Sequence, residues 1–144
     1  DTLSLHDALP ISDISLQHYV SLWQCRMEIK TVSLYVMAAF FALAGIGHFV
    51  ITKFFLRIMP PYIPWHKPIV YLSGLAEIGL AVLLLIPQYR AWAAWGIVAL
   101  LVAVFPANLY HFTSGGAGMR IPQWMLAMRL PLQVVLVAWA WWHT

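Results

Sequence analysis

Charge is the scarcest commodity in this chain. Only 9% of its 144 residues are Asp, Glu, Lys or Arg, where a soluble domain carries about 25%. So few charges cannot cover a folded surface in water, which leaves lipid as the expected solvent for most of the chain. Cysteine is rarer still. Cys25 stands alone, which excludes an internal disulfide and a CxxC redox pair. There is no HExxH run, Walker loop, GxSxG elbow or Rossmann glycine fingerprint, so soluble-type hydrolase and nucleotide chemistry have no foothold and no metal site is expected.

What is there is apolar. Hydrophobic residues make up 62% of the chain, and the mean hydropathy is +0.80. The net charge of +3 fits loop Lys and Arg that orient a membrane protein, not a nucleic-acid surface. The length holds about four spans at roughly 20 residues each.

Residues 1–26 differ from the rest. They hold Asp1, Asp7 and Asp13, three of the five acids, together with Cys25 and no long apolar run. The stretch 1–12, DTLSLHDALPIS, resembles a translated sequencing adapter, and Met27-Glu28-Ile29-Lys30 reads as a natural start. We expect 1–26 to be a non-native or disordered leader and 27–144 a four-span membrane domain. The first span is placed at about 31–50, rich in Ala and Gly that let helices approach closely. Thr52 can then cap a short amphipathic helix that sets Lys53 and Arg57 against Phe54, Phe55 and Ile58, a pattern suited to the membrane interface. Pro60, Pro61, Pro64 and Pro68 break regular structure beside the belt aromatics Tyr62, Trp65 and Tyr71.

The second span, about 69–87, carries Glu77 near its middle. A third, about 91–112, is interrupted by Pro106, which frees the Val102 carbonyl; Asn108, close by, is placed to repair the kink. A loop with Gly115, Gly116 and Gly118 is expected to be flexible. The fourth span, about 122–142, contains Arg129, Pro131 and Gln133. The fold class expected is all-α: an integral membrane four-helix bundle with a short interfacial helix after the first span.

Depth organises the polar residues. Let side A be the side of Met27. At 1.5 Å per residue Glu77 lies roughly 12 Å in from side B, and Arg129 about 10 Å in from the same side. His48, Asn108 and His111 lie nearer the side-B ends of their spans, and Gln133 is one turn deeper than Arg129. All four spans therefore place polar groups in the side-B half and leave the other half apolar. An ionisable group at such depth needs a partner, and Arg129, always charged and able to fork onto a carboxylate, is the natural one for Glu77. That pair reads either as a staple fixing helix register or as part of a proton or ligand site. His48 and His111 read as interfacial histidines bonded to carbonyls, as contacts to a quinone head group, or, least well, as haem ligands, because nothing in their spacing makes the rings face each other. Lys53, Arg57 and Trp65 read as interfacial contacts. Lys53, Arg57, Lys67 and Arg120 on side B outnumber Lys30 and Arg90 on side A, which leans side B towards the cytoplasm.

An ordered set of short pieces resembles the DoxX family of small four-helix bacterial membrane proteins. The pieces are Ala44-Gly45-Ile46-Gly47-His48-Phe49, Phe54-Phe55-Leu56-Arg57-Ile58-Met59-Pro60-Pro61-Tyr62, Tyr71-Leu72-Ser73-Gly74-Leu75-Ala76-Glu77-Ile78, Phe105-Pro106-Ala107-Asn108 and Arg129-Leu130-Pro131-Leu132-Gln133. The resemblance implies a four-span bundle in the bacterial inner membrane, linked to quinone electron transfer as an accessory protein or subunit. It labels no residue catalytic, and the chain on its own is not expected to be an enzyme. The partners it implies are the lipid bilayer and either a membrane redox protein or a second copy of the chain. The alternative is a non-enzymatic scaffold whose buried Glu–Arg pair is purely structural.

Overall fold

The computed structural model describes the backbone of residues 10–144 and the side chains from residue 16 onward. The described residues form helices and no strand. These are α1 (Pro10–Val50), α2 (Thr52–Ile58), α3 (His66–Leu85), α4 (Arg90–Thr113) and α5 (Gln123–Trp141), with a 3-10 turn at Pro87–Tyr89. The chain divides into two compact units, Asp1–Ser33 and Leu34–Thr144. In the first, residues 10–26 of the expected leader belong to α1, while 1–9 lie outside the described residues. The side chains of residues 16–32 are exposed, Cys25 among them, and Arg26 rests on the Trp23 ring.

The second unit holds the bundle. The prolines sit where helices can bear them. Pro68 occupies the first turn of α3, where an N–H would have no helical partner anyway. Pro60, Pro61 and Pro64 lie between α2 and α3, and the ring of His66 donates from Nε2 to the Pro60 carbonyl at 2.9 Å, tying that corner together. Thr52 does not cap α2: its hydroxyl turns back to the His48 and Phe49 carbonyls at the end of α1. The glycine loop is an ordered turn. Gly115, Gly116 and Gly118 all take positive φ, and the Gly116 N–H bonds the His111 carbonyl to close the end of α4. Backbone bonds replace the flexibility expected there.

Neighbours around the bundle follow from close contacts. A Cβ on Gly45 of α1 would stand 2.6 Å from the Gly74 carbonyl of α3, so those two backbones touch. Helix α4 packs on both α3 and α5, and the Phe40 ring of α1 meets Trp139 of α5 at 6.4 Å. The order is α1, α3, α4, α5 and back to α1, which puts α3 and α5 on a diagonal. One end of the bundle is filled by Leu34, Met37, Phe41, Leu84, Ile97 and smaller residues. Of the buried polar residues, His48, Glu77, His111 and Gln133 lie towards the other end, while His143 follows the end of α5.

The outward faces are apolar: mid-helix Leu72, Leu75, Val102 and Val134 are all exposed. Four stretches, Leu16–Val50, His66–Leu85, Pro87–Thr113 and Gln123–Trp141, are long and apolar enough to cross a membrane. This is the pattern of a multi-pass membrane protein.

Candidate functional site

The site begins at the glycine crossing. His48 is three residues beyond Gly45, and Glu77 three beyond Gly74, so each projects from the helix face that makes the contact. The two meet: His48 Nε2 lies 3.5 Å from Glu77 Oε1, and both residues are buried. His48 Nδ1 lies 3.1 Å from the Val70 carbonyl and 3.0 Å from Ser73 Oγ, whose own hydroxyl donates to the same carbonyl. A carbonyl only accepts, so Nδ1 carries hydrogen in this arrangement. The Phe55 ring of α2 stacks on the imidazole at 3.8 Å between centroids.

The expected Glu77–Arg129 salt bridge is not formed. Among the described residues the ion pair of Glu77 is with His48. The reason is the diagonal. Depth along the axis made Glu77 and Arg129 look like partners, but α3 and α5 face each other across the bundle, while α1 lies directly against α3. Arg129 instead points Nη1 at His111 Nδ1, 3.2 Å away, and lies over the Phe54 ring at 5.3 Å. A guanidinium has no acceptor, so His111 Nδ1 accepts and its hydrogen is on Nε2. That Nε2 is buried and meets no acceptor in bonding geometry among the described residues.

The side-chain bonding near Pro106 of α4 also differs from expectation. Asn108 does not make the repair expected of it. Gln133 of α5 donates from Nε2 to the Leu101 carbonyl, next to the one Pro106 frees, and Asn108 Nδ2 donates to Gln133 Oε1 at 2.9 Å. The glutamine is the brace, and the asparagine holds it.

These groups surround a cavity of about 330 Å³ to which all five helices contribute. His48, Glu77, Asn108 and Arg129 lie on its wall, with Phe41 and Phe55 among a mostly apolar lining. His111 and Gln133 stand behind that wall, supporting Arg129 and Asn108 respectively. Lys53, Arg57 and Trp65 are exposed and outside it. The two histidines do not act together: each ring is engaged by a different partner. Among the described residues no three His, Cys, Asp or Glu side chains gather as a metal site.

Sequence reasoning missed Ser73, Phe54, Phe55 and the two glycines. A signal was there for the glycines, because Gly45-Ile46-Gly47-His48 and Gly74-Leu75-Ala76-Glu77 share a glycine three residues before a polar group. The aromatic pair had none, since the short helix read as a surface element.

The family model of the domain of unknown function DUF8561 matches residues 37–144, which include every residue of the cavity wall. The chain belongs to the DUF8561 family. The resemblance to DoxX is thereby corrected, and the bacterial inner-membrane placement and the quinone electron-transfer association that it implied lose that support. Its pieces describe needs that different small bundles share: small residues at a close crossing, a proline kink and a partnered buried acid. No curated protein and no solved structure matches the chain.

Proposed function

We propose that this DUF8561 member is a multi-pass membrane protein that binds a small lipid-soluble molecule in the cavity of its bundle, without catalysing a reaction on its own. The observation that carries this is the mixed character of the wall. Aromatic and aliphatic side chains supply most of it, and five polar residues, His48, Ser73, Glu77, Asn108 and Arg129, converge on it from α1, α3, α4 and α5, the usual make-up of a ligand site. A quinone head group is the ligand class that suits it. Such a ring is flat and apolar, lies against Phe41 and Phe55, and offers oxygens to Asn108 and Arg129. The lipid-facing surface supplies the route by which a hydrophobic tail enters. Lys53, Arg57 and Trp65 then meet head groups at the interface.

The test is native mass spectrometry of the detergent-purified chain, followed by titration with a short-tailed quinone. Saturable binding that weakens when Asn108 or Arg129 is replaced supports the reading. Clean protein that binds neither the quinone nor its reduced form at saturation removes it.

A scaffold reading has an observation of its own. Gln133 and Asn108 bond to each other and to the backbone of α4, which is what a purely structural polar cluster does. That reading predicts full function in a partner complex with the cavity filled by apolar substitutions.

A further inference from the structure

The two charged corners of the cavity offer opposite things to a ligand. Arg129 only donates, and among the described residues it has no carboxylate partner. Glu77 is the reverse. Its Oε1 faces His48, and its Oε2 is buried with no hydrogen-bond partner among the described residues. The terminal torsion of a glutamate is soft, so either oxygen can turn to a guest. Thus α3 presents an unsatisfied acceptor to the cavity, and α5, diagonally opposite, presents unspent donors.

We infer that the cavity takes a ring carrying a hydroxyl, with that hydroxyl donating to the Glu77 carboxyl and an oxygen on the opposite edge accepting from Arg129. This rests on the binding reading above and narrows its ligand to the hydroxylated, quinol-type form. A quinone has oxygens that accept but no hydrogen to give, and it leaves the Glu77 acceptor buried and unmatched. A site built around an unmatched polar group discriminates strongly against the analogue that cannot satisfy it.

The experiment uses the full chain in detergent, without oxygen, and three probes of the same skeleton: a short-tailed quinol, its quinone, and the dimethyl ether of the quinol. The quinol is expected to bind about tenfold more tightly than either of the others. Glu77→Gln, which keeps an acceptor oxygen, retains the preference, and Glu77→Leu removes it. Should the leucine variant fail to fold, the ether comparison on the unaltered chain decides alone. Equal or tighter binding of the quinone overturns the inference while the cavity reading stands. No binding of any probe overturns both.

Discussion

At the scale of single residues, the His48–Glu77 contact is the one whose loss should be felt most. Both groups are buried, and removing one strands the other. Breaking such a pair costs about 3–5 kcal/mol, whereas an ordinary side-chain hydrogen bond in a membrane bundle averages about 0.6 kcal/mol. Glu77→Leu should therefore lower stability by several kcal/mol in a denaturation series in mixed micelles, and His48→Leu added to it should recover most of the loss. If the double variant is as unstable as the single one, the pair is not the source of the effect. The glycines give a second contrast. A methyl at Gly45 would meet the Gly74 carbonyl, a backbone atom that cannot step aside, whereas a methyl at Gly79 meets nothing within 4 Å. Gly45→Ala should cost about 1–3 kcal/mol as an overpacked contact, and Gly79→Ala should leave the melting temperature where it was.

Among the elements, α2 does more than lie in an interface. Phe55 covers His48 and Phe54 carries the Arg129 guanidinium, so this seven-residue helix closes the cavity over its polar groups. A cysteine placed at Ser73, on the cavity wall, should react slowly with a water-soluble thiol reagent when Phe55 is present and faster when Phe55 is alanine. An unchanged rate would mean that α2 does not control access. The α4–α5 pair has a different weak point. Gln133 braces α4 one carbonyl from the one that Pro106 frees, and its bonds to Asn108 and to the Leu101 carbonyl at membrane values sum to about 1 kcal/mol. Gln133→Leu should cost about that much in the same denaturation series, clearly less than Glu77→Leu.

For the whole molecule, the decisive property is which solvent the outer faces meet. Leu75 is exposed near the middle of α3. On a protein surrounded by water, Leu75→Arg would be tolerated. In a bilayer an arginine at mid-span costs about 2.5–3.5 kcal/mol in insertion, so the variant should be lost from the membrane fraction of expressing cells while Tyr62→Arg, exposed in the loop between α2 and α3, is retained. Equal recovery of both would contradict insertion.

The chain alone determined the helical class, the four apolar runs and the gathering of polar groups at one end of the bundle. The reason is that helix rise is constant, so counting residues gives depth: His48, Glu77, Asn108 and Arg129, which the count sets in the same half, all reach one cavity, with His111 and Gln133 bonded behind its wall. What counting cannot give is azimuth and neighbour order. Two groups at equal depth are partners only if their helices adjoin on the facing sides, and that depends on which pairs of surfaces pack. Here the contact of Gly45 with Gly74 brings α1 against α3 and hands Glu77 to His48. The diagonal arrangement leaves Arg129 to His111 and Phe54 and opens a cavity between the two charges that a linear count had joined.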